Sequence, residues 1–404
     1  MPGVFQGSTE LTDLGDVFGD GVNIQEVYVG ATKVFPPAGN GGFGNILQWS
    51  PVDGQAIPGG WTFTRATDAM FRNDSGIWQT VGSGVARTAH NALPGGGDKG
   101  YLPEPTATKR ALFPRDLTNA VWVATDITTA KDAVGIDGVS NAASTLTATG
   151  SNGTIFQSLS NPASQSFTFS CFVARKTGTG TIEITVNGGA AYTDITADLT
   201  GDIDNLFYVF ESGPDPEFGF RMGTSGDEIE VDMADVEQNN QGYFTSPLDH
   251  SSSTQTREAD LLSSNVTIPQ DFSLLTDITG PLEGAFQTAT VLGSTSDNTL
   301  WITTGTILVQ TRILDGSGTL LSQEDPMGGF RRKFSYSRDF DDVHRLVTDK
   351  PNTVEAATNN PAGVGEVFRI GSKNTANQFR GTIHSIGVSD FTLTEQEQID
   401  LIAA

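Results

Sequence analysis

The sequence predicts an all-β protein built on two antiparallel β-sandwiches, and three observations carry that prediction. The 404 residues include 47 Gly and 18 Pro while only 18% are charged, the balance of a turn-rich chain. Apolar residues recur with period two over short runs, the spacing of half-buried strands rather than helices. Hydrophobic residues are only 37% of the chain, yet 24 Phe, 5 Trp and 6 Tyr can fill several small cores.

Charge narrows the partners. With 23 Lys+Arg against 48 Asp+Glu the formal net charge is −25, so a polyanion would be repelled and nucleic-acid binding is excluded as a function class. The single cysteine, Cys171, forbids an intrachain disulfide and reads as a buried strand thiol. No run of 18 apolar residues occurs, and Met-Pro-Gly-Val-Phe-Gln at the start lacks the features of a secretory signal, so neither membrane insertion nor signal-led export is expected.

The elements follow in order. Val22–Gly30 and Ala31–Pro37 read as two short β segments around Gly30, too small to bury an apolar face alone. Residues 1–40 are therefore expected to be an attachment segment. Gly39–Gly44 and Pro51–Gly60 read as loop, because closely spaced Gly and Pro forbid a continuous ladder or helix. Residues 41–110 alternate strand candidates, such as Trp61–Arg65 and Gly76–Val81, with long loops and read as a connector that packs against its neighbours. From 111 to 250 the pattern becomes regular. Ile182, Ile184 and Val186 fall on one strand face, Ile229, Val231 and Met233 on another, and Asn187-Gly-Gly189 signals a hairpin turn. A second set runs from 251 to 404, with strands around Leu300–Thr304, Thr306–Leu314, Val367–Gly371 and Phe379–Val388. It closes on a short helix whose capping box is Thr394-Glu-Gln-Glu397, with Ile399 and Ile402 on one face.

Motifs of chemistry are scarce. Gly39-Asn-Gly-Gly-Phe-Gly44 matches GxGxxG, but Pro51 and Gly54 follow where a phosphate-binding helix would have to open. The histidines at 90, 250, 344 and 384 are scattered. Asp339-Phe-Asp-Asp342 and Glu324-Asp325 read as solvated acidic loops, with calcium as the alternative ligand chemistry and a glycosidase pair as a third reading. Trp61, Trp78, Trp122 and Trp301 read as core anchors before they read as sugar-stacking rings.

Several segments together resemble a family. Trp61-Thr-Phe-Thr-Arg65-Ala-Thr67, Gly76-Ile77, Val85-Ala-Arg87, Tyr101-Leu-Pro-Glu-Pro105 and Leu117–Trp122 follow an order similar to the connector of bacteriophage tail-fibre and head-spike proteins. In that family the connector leads into a jelly-roll or carbohydrate-binding-module-like sandwich, here 111–250. Thr254-Gln-Thr-Arg-Glu-Ala-Asp260 resembles the joint to the next unit. Thr299–Val309, Ile370-Gly371, Phe379–Ile383 and Leu393–Glu397 resemble a concanavalin-like (laminin-G-like) sandwich, and Val27–Val34 a segment of phage virion proteins. The chain departs from the pattern at Lys109-Arg110, where the resemblance leads one to expect Asn-Leu.

The resemblance implies a non-enzymatic virion structural protein, assembled in the host cytoplasm and displayed as a tail fibre or spike. It implies a homotrimer that meets other virion proteins of tail or capsid and a host receptor or surface glycan. Attachment is expected through Val27, Tyr28, Val29, Val34 and Phe35, and glycan contact through Tyr336, Asp339, Asp341, Asp342 and Trp301 of the C-terminal sandwich. No catalytic residue and no cofactor are expected, with calcium at the acidic loops the one metal kept open. The alternatives are a capsid fibre or decoration protein without glycan contact, and a polysaccharide-degrading spike enzyme.

Overall fold

The computed structural model describes residues 27–29, 32–35, 47–49, 57, 59–90, 99–159, 165–203, 206–213, 216–238, 244–264, 272–279, 287–292, 299–304, 308–315, 318–326, 331–338, 343–348, 353–357, 368–370, 382–389 and 392–403. The architecture is all-β, with antiparallel sheets forming sandwich-like units and one short α-helix, Glu395–Ala403, among the described residues.

The central sandwich is assembled from two sheets. One has five strands in the order Val123–Thr125, Gly153–Ser158, Glu217–Met222, Ile182–Thr185, Thr193–Asp194. The other runs Ile127–Ala133, Ala143–Ala148, Glu228–Gln238, Gln165–Thr177, Leu206–Gly213. Between them Ile182, Ile184 and Val186 project into one core with Phe167, Phe169, Phe218 and Phe220, as the period-two spacing predicts. Rings meet at their edges there, with Trp122 and Phe218 centroids 5.5 Å apart and Phe169 and Phe220 5.6 Å apart. Each such ring contributes about 1.5–3 kcal/mol by burial. Cys171 lies in the same core, and burial pushes its thiol pKa far up, so it stays a neutral packing group.

One expectation fails inside this core. Met233 does not share a face with Ile229 and Val231. Pairing between Gln165–Thr177 and Glu228–Gln238 steps from Ser170↔Asp235 to Phe172↔Asp232, so Met233 and Ala234 together oppose Cys171. That is a β-bulge, and Met233 adopts φ 47° within it. The extra residue resets the alternation. Ala234 and Val236 continue the inner face, while Met233 turns outward to join Phe172, Trp78, Met70 and Ile136 in a second apolar cluster. Without the bulge, Asp232 and Asp235 would point to opposite faces; with it, both face outward.

The remaining strands form two larger sheets. A seven-stranded sheet runs Gly318–Pro326, Leu308–Asp315, Thr299–Thr304, Gln287–Leu292, Phe368–Ile370, Leu261–Ser264, Trp61–Thr64. A ten-stranded sheet runs from Thr353–Ala357 through Val343–Thr348, Arg331–Arg338, Phe272–Thr279 and Thr382–Ser389 to Lys99–Tyr101, Thr88–His90, Ala69–Arg72 and Trp78–Val81, with Leu47–Trp49 also paired to Thr382–Ser389. The segment 41–110 thus supplies one strand of the seven-stranded sheet and half of the ten-stranded sheet, the rest of both coming from 251–404. The central sandwich is an insertion within that unit. Its incoming strand Ala107–Lys109 pairs directly with its outgoing strand Gln255–Arg257, Thr108 opposite Thr256, and the two form a neck.

At the C-terminus the expected capping box forms: the Glu397 amide donates to Thr394 Oγ1 at 3.3 Å and the Thr394 amide to Glu397 Oε2 at 2.8 Å. The helix docks through the preceding peptide, whose Leu393 N–H donates to Ser273 Oγ at 2.9 Å while Ser337 Oγ donates to the Leu393 carbonyl at 3.3 Å. Its buried stripe is Gln398 and Ile402, whereas Ile399 is 39% exposed, so the two isoleucines do not share the buried face.

Gly219 exposes the tightest spot in the five-stranded sheet. Its φ is 152°, and a Cβ there would lie 2.0 Å from the Ile155 carbonyl oxygen, a backbone atom that cannot swing away. Gly219→Ala is expected to cost about 3 kcal/mol or more, read as a lower urea midpoint at unchanged m-value.

Candidate functional site

The densest polar constellation among the described side chains is buried at the neck. The incoming and outgoing strands bring Glu104 beside Asp260, and their main chains lock together: the Asp260 amide donates to the Glu104 carbonyl at 3.0 Å and the Glu104 amide to Asp260 Oδ2 at 3.0 Å. Three guanidiniums converge on these two carboxylates. Arg65 Nη1 donates to Asp260 Oδ1 at 2.7 Å, Arg87 Nη2 to Asp260 Oδ2, and Arg87 Nη1 to Glu104 Oε2 at 2.6 Å. Arg257 Nη1 lies 3.2 Å from Glu104 Oε2, and its Nη2 donates to the Pro105 carbonyl at 2.8 Å. The side chains of Arg65, Arg87, Arg257 and Asp260 are 0% exposed.

Main-chain carbonyls take further donors, while Arg87 Nε and Arg257 Nε and Nη1 are buried without a hydrogen bond. Arg65 donates to Thr67, Gly82 and Val85, and Arg87 to Met70 and Leu102. Ser246, which follows the central sandwich, donates its amide to Glu104 Oε1 at 2.7 Å and accepts from Arg87 Nη1 at 2.7 Å. Burial opposes the charge on Glu104, but Arg257, Arg87 and the Ser246 hydrogen bonds outweigh it and hold the carboxyl far below its usual range. The Arg65 pKa also falls, here because burial and the nearby charges of Arg87 and Arg257 outweigh Asp260 and disfavour its charged form. Burial drives the Tyr101 hydroxyl up, so the phenol beside this cluster is neutral.

Flanking ion pairs tie the outer face of the central sandwich to the same neck. Lys109, the departure from the resembled pattern, is buried with Nζ donating to Glu237 Oε2 at 2.7 Å and to the Thr245 carbonyl at 3.2 Å. Arg115 is gripped by two carboxylates, Asp232 at 2.9 and 3.1 Å and Asp137 at 2.7 and 2.8 Å. His250 faces acceptors at both ring nitrogens, Asp235 Oδ2 at 2.7 Å and the Ser253 carbonyl at 3.1 Å. Only the doubly protonated ring satisfies both. Burial opposes that charge, yet Asp235 and the carbonyl prevail and raise the His250 pKa above 6.5. The bulge at Met233 is what aims Asp232 and Asp235 at these partners.

Of the expected ligand residues, only Tyr336 has a described side chain. Tyr336 is 3% exposed, its ring centroid 5.4 Å from that of Phe272, so it belongs to the apolar face of the ten-stranded sheet with Phe334 and Leu274 and offers no ring to a sugar. Trp301 lies in the strand Thr299–Thr304, and Asp339, Asp341 and Asp342 lie outside the described residues. No group of three or more His, Cys, Asp or Glu suited to a metal ion occurs among the described residues. Trp49, Trp78 and Trp122 are core anchors. Val27, Tyr28, Val29, Val34 and Phe35 fall in a two-stranded antiparallel ribbon, Val27–Val29 with Thr32–Phe35, which joins no other sheet among the described strands. Sequence reasoning missed the neck cluster, although Arg65, Arg87, Glu104, Arg257 and Asp260 all sit inside the segments that carry the family resemblance.

No protein-family model and no curated protein matches the chain. Among solved structures it is similar to the CBM40 module of a Ruminococcus gnavus IT-sialidase bound to α2,3-sialyllactose, at 15% identity over 33% of this chain and 83% of that one, TM-score 0.29. It is also similar to domain 4 of a GH43 extracellular arabinanase from Geobacillus stearothermophilus in complex with arabinotriose, at 12% identity over 41% and 84%, TM-score 0.29. A heptameric SAP-like pentraxin from Limulus polyphemus matches at 15% identity over 34% and 72%, TM-score 0.28. Likeness at this level assigns this chain neither a ligand nor a role.

Two outcomes follow from the charges. Asp260→Asn leaves buried guanidiniums without their shared counter-ion and should cost about 3–5 kcal/mol in denaturant unfolding. His250 contributes stability that is full below its unfolded pKa near 6.5 and is lost as pH rises through its higher folded value. Unfolding free energy should therefore fall as pH rises above about 6.5, and His250→Gln should remove that part of the slope.

Proposed function

We propose that this chain is a structural protein displayed on a particle surface, a bacteriophage fibre or spike, in which the central sandwich is held out rigidly from a larger β unit to meet a host receptor or glycan. The observation that carries the reading is the sealed ion network at the neck. An inserted domain on two strands would swing about them, and a network whose donors end on fixed carbonyls and carboxylates sets one angle. That is what an element presenting a binding face at a distance from its anchor requires. Glu104 is held deprotonated by Arg257 and Arg87, which suits architecture rather than proton transfer.

The placement on a virion rests on the sequence resemblance and on the ribbon Val27–Val29 with Thr32–Phe35. Two strands alone are marginal in water, so a ribbon of this size gains stability from a partner surface. A net charge of −25 keeps many displayed copies soluble and apart. Assembly as a homotrimer fits the same reading, since symmetric association would cover ribbons of neighbouring copies together.

The test is incorporation. A chain that begins at Gly41 should fold with the same thermal transition and fail to join particles, whereas the full chain joins and sediments with them. Incorporation of the shortened chain at the full-length level would overturn the attachment reading, and steady release of reducing ends from host polysaccharide would move the protein to the enzyme class.

A further inference from the structure

One face of the central sandwich is committed and the other is not. The outer face of the sheet containing Glu228–Gln238 carries the neck and the Met233 cluster. The outer face of the five-stranded sheet presents two rows of side chains to solvent. Cross-strand pairing sets Val123 opposite Phe156 and Phe156 opposite Gly219; the next row is Thr125, Thr154, Arg221, Glu183 and Asp194. Val123 is 67% exposed, and Phe156 and Arg221 are half-exposed diagonal neighbours, a spacing of ~7–8 Å or less.

Arg221 is held in place before any ligand arrives. Its Nε and Nη2 both donate to Glu183, the latter at 2.8 Å, and its guanidinium lies 3.8 Å above the Tyr192 ring centroid. Tyr192 is itself seated on the turn after Val186: a Cβ on Gly189, whose φ is 80°, would lie 2.3 Å from the Tyr192 hydroxyl oxygen. Only glycine leaves that hydroxyl its room. On the same face Ser158 Oγ donates to Glu217 at 3.1 Å. The face therefore combines apolar surface from Phe156 and Val123 with preset polar groups, and little side-chain entropy remains to be lost on binding.

From this geometry we infer that the outer face of the five-stranded sheet is a binding site for an uncharged glycan, with Phe156 and Val123 under the apolar face of a pyranose and the Arg221–Glu183 pair bonding its hydroxyls. The inference rests on the display reading given above. Charge selects the occupant. Arg221 is neutralised by Glu183, and the chain carries −25, so an acidic sugar would find no net attraction and a long-range repulsion. A ring with one C–H face and a rim of hydroxyls matches both halves of the surface.

The experiment uses the full chain on an array of glucose-, galactose- and mannose-based neutral oligosaccharides, with sialylated and sulfated glycans printed beside them. Variants are Phe156→Ala, Arg221→Ala and the blocking change Thr154→Trp, with Thr128→Trp on the other sheet as control. Circular dichroism checks that each keeps the parent's thermal transition. The expected result is retention on a neutral glycan, reduced about tenfold or more by each of the three variants and unchanged by the control. If neutral-glycan binding persists unchanged in all three variants, the site is wrong while glycan contact stands. Binding confined to sialylated or sulfated glycans overturns the choice of occupant. No retention on any glycan overturns the site together with the glycan part of the display reading.

Discussion

Three guanidiniums sharing two carboxylates in a buried neck set the terms for the rest of this molecule. Ions taken out of water lose several kcal/mol of hydration each, and their mutual attraction returns that only when the geometry is complete. Here most donors of Arg65 and Arg87 end on Asp260, Glu104 and main-chain carbonyls, so the partners are directional, while Arg87 Nε and Arg257 Nε and Nη1 stay without a hydrogen bond. Such a network contributes modestly to stability compared with an apolar core of the same volume. Its larger effect is to permit one arrangement of the segments around residues 65, 87, 104, 246 and 260, which are far apart in the chain. A small rotation about the neck would leave buried charges unpaired.

The architecture explains why the network sits there. A domain inserted through two neighbouring strands has a single covalent crossing point, and the contacts between the units gather around it: the ion network at the neck, and Met70 and Trp78 packed on Phe172 and Met233. The strand Glu228–Gln238 of the central sandwich is consequently buried on both sides over residues 231–237. The inner face of its sheet holds Phe167, Phe169, Val231 and Val236, while the outer face holds Phe172, Met233, Asp232 and Asp235. The bulge reconciles these demands, because a strand with strict alternation could not send both aspartates outward. The five-stranded sheet, relieved of any such duty, is left to face solvent.

Much of this was legible in the residues and some was not. Period-two spacing found Ile182, Ile184 and Val186, the Asn187-Gly-Gly189 turn and the strands of both units, because local alternation reports a buried face directly. Thr394 and Glu397 announced the only α-helix among the described residues, since capping is a local interaction. Met233 was misplaced because a bulge changes parity without leaving a mark in the pattern. The short strands of 41–110 were visible, but their partners were not: Trp61–Thr64 pairs with Leu261–Ser264, and nothing local encodes a partner 200 residues away. Tyr336 was read as a ligand because acidic residues follow it, yet its alternation with Ser335 and Ser337 places it beside Phe334 on the apolar face. The neck arginines stand inside the segments quoted for the resemblance, but their meeting is a property of topology.

The central claim is that the neck is as rigid as the cores it joins, and hydrogen exchange at the Glu104 and Asp260 amides tests it most directly. Both amides are bonded within the network, to Asp260 Oδ2 and to the Glu104 carbonyl. They should exchange only through global opening, as slowly as the Phe169 and Val231 amides of the central core. Exchange there on the timescale of exposed turns, with the core amides still protected, would mean that the neck opens by itself and that the two units are not held at one angle.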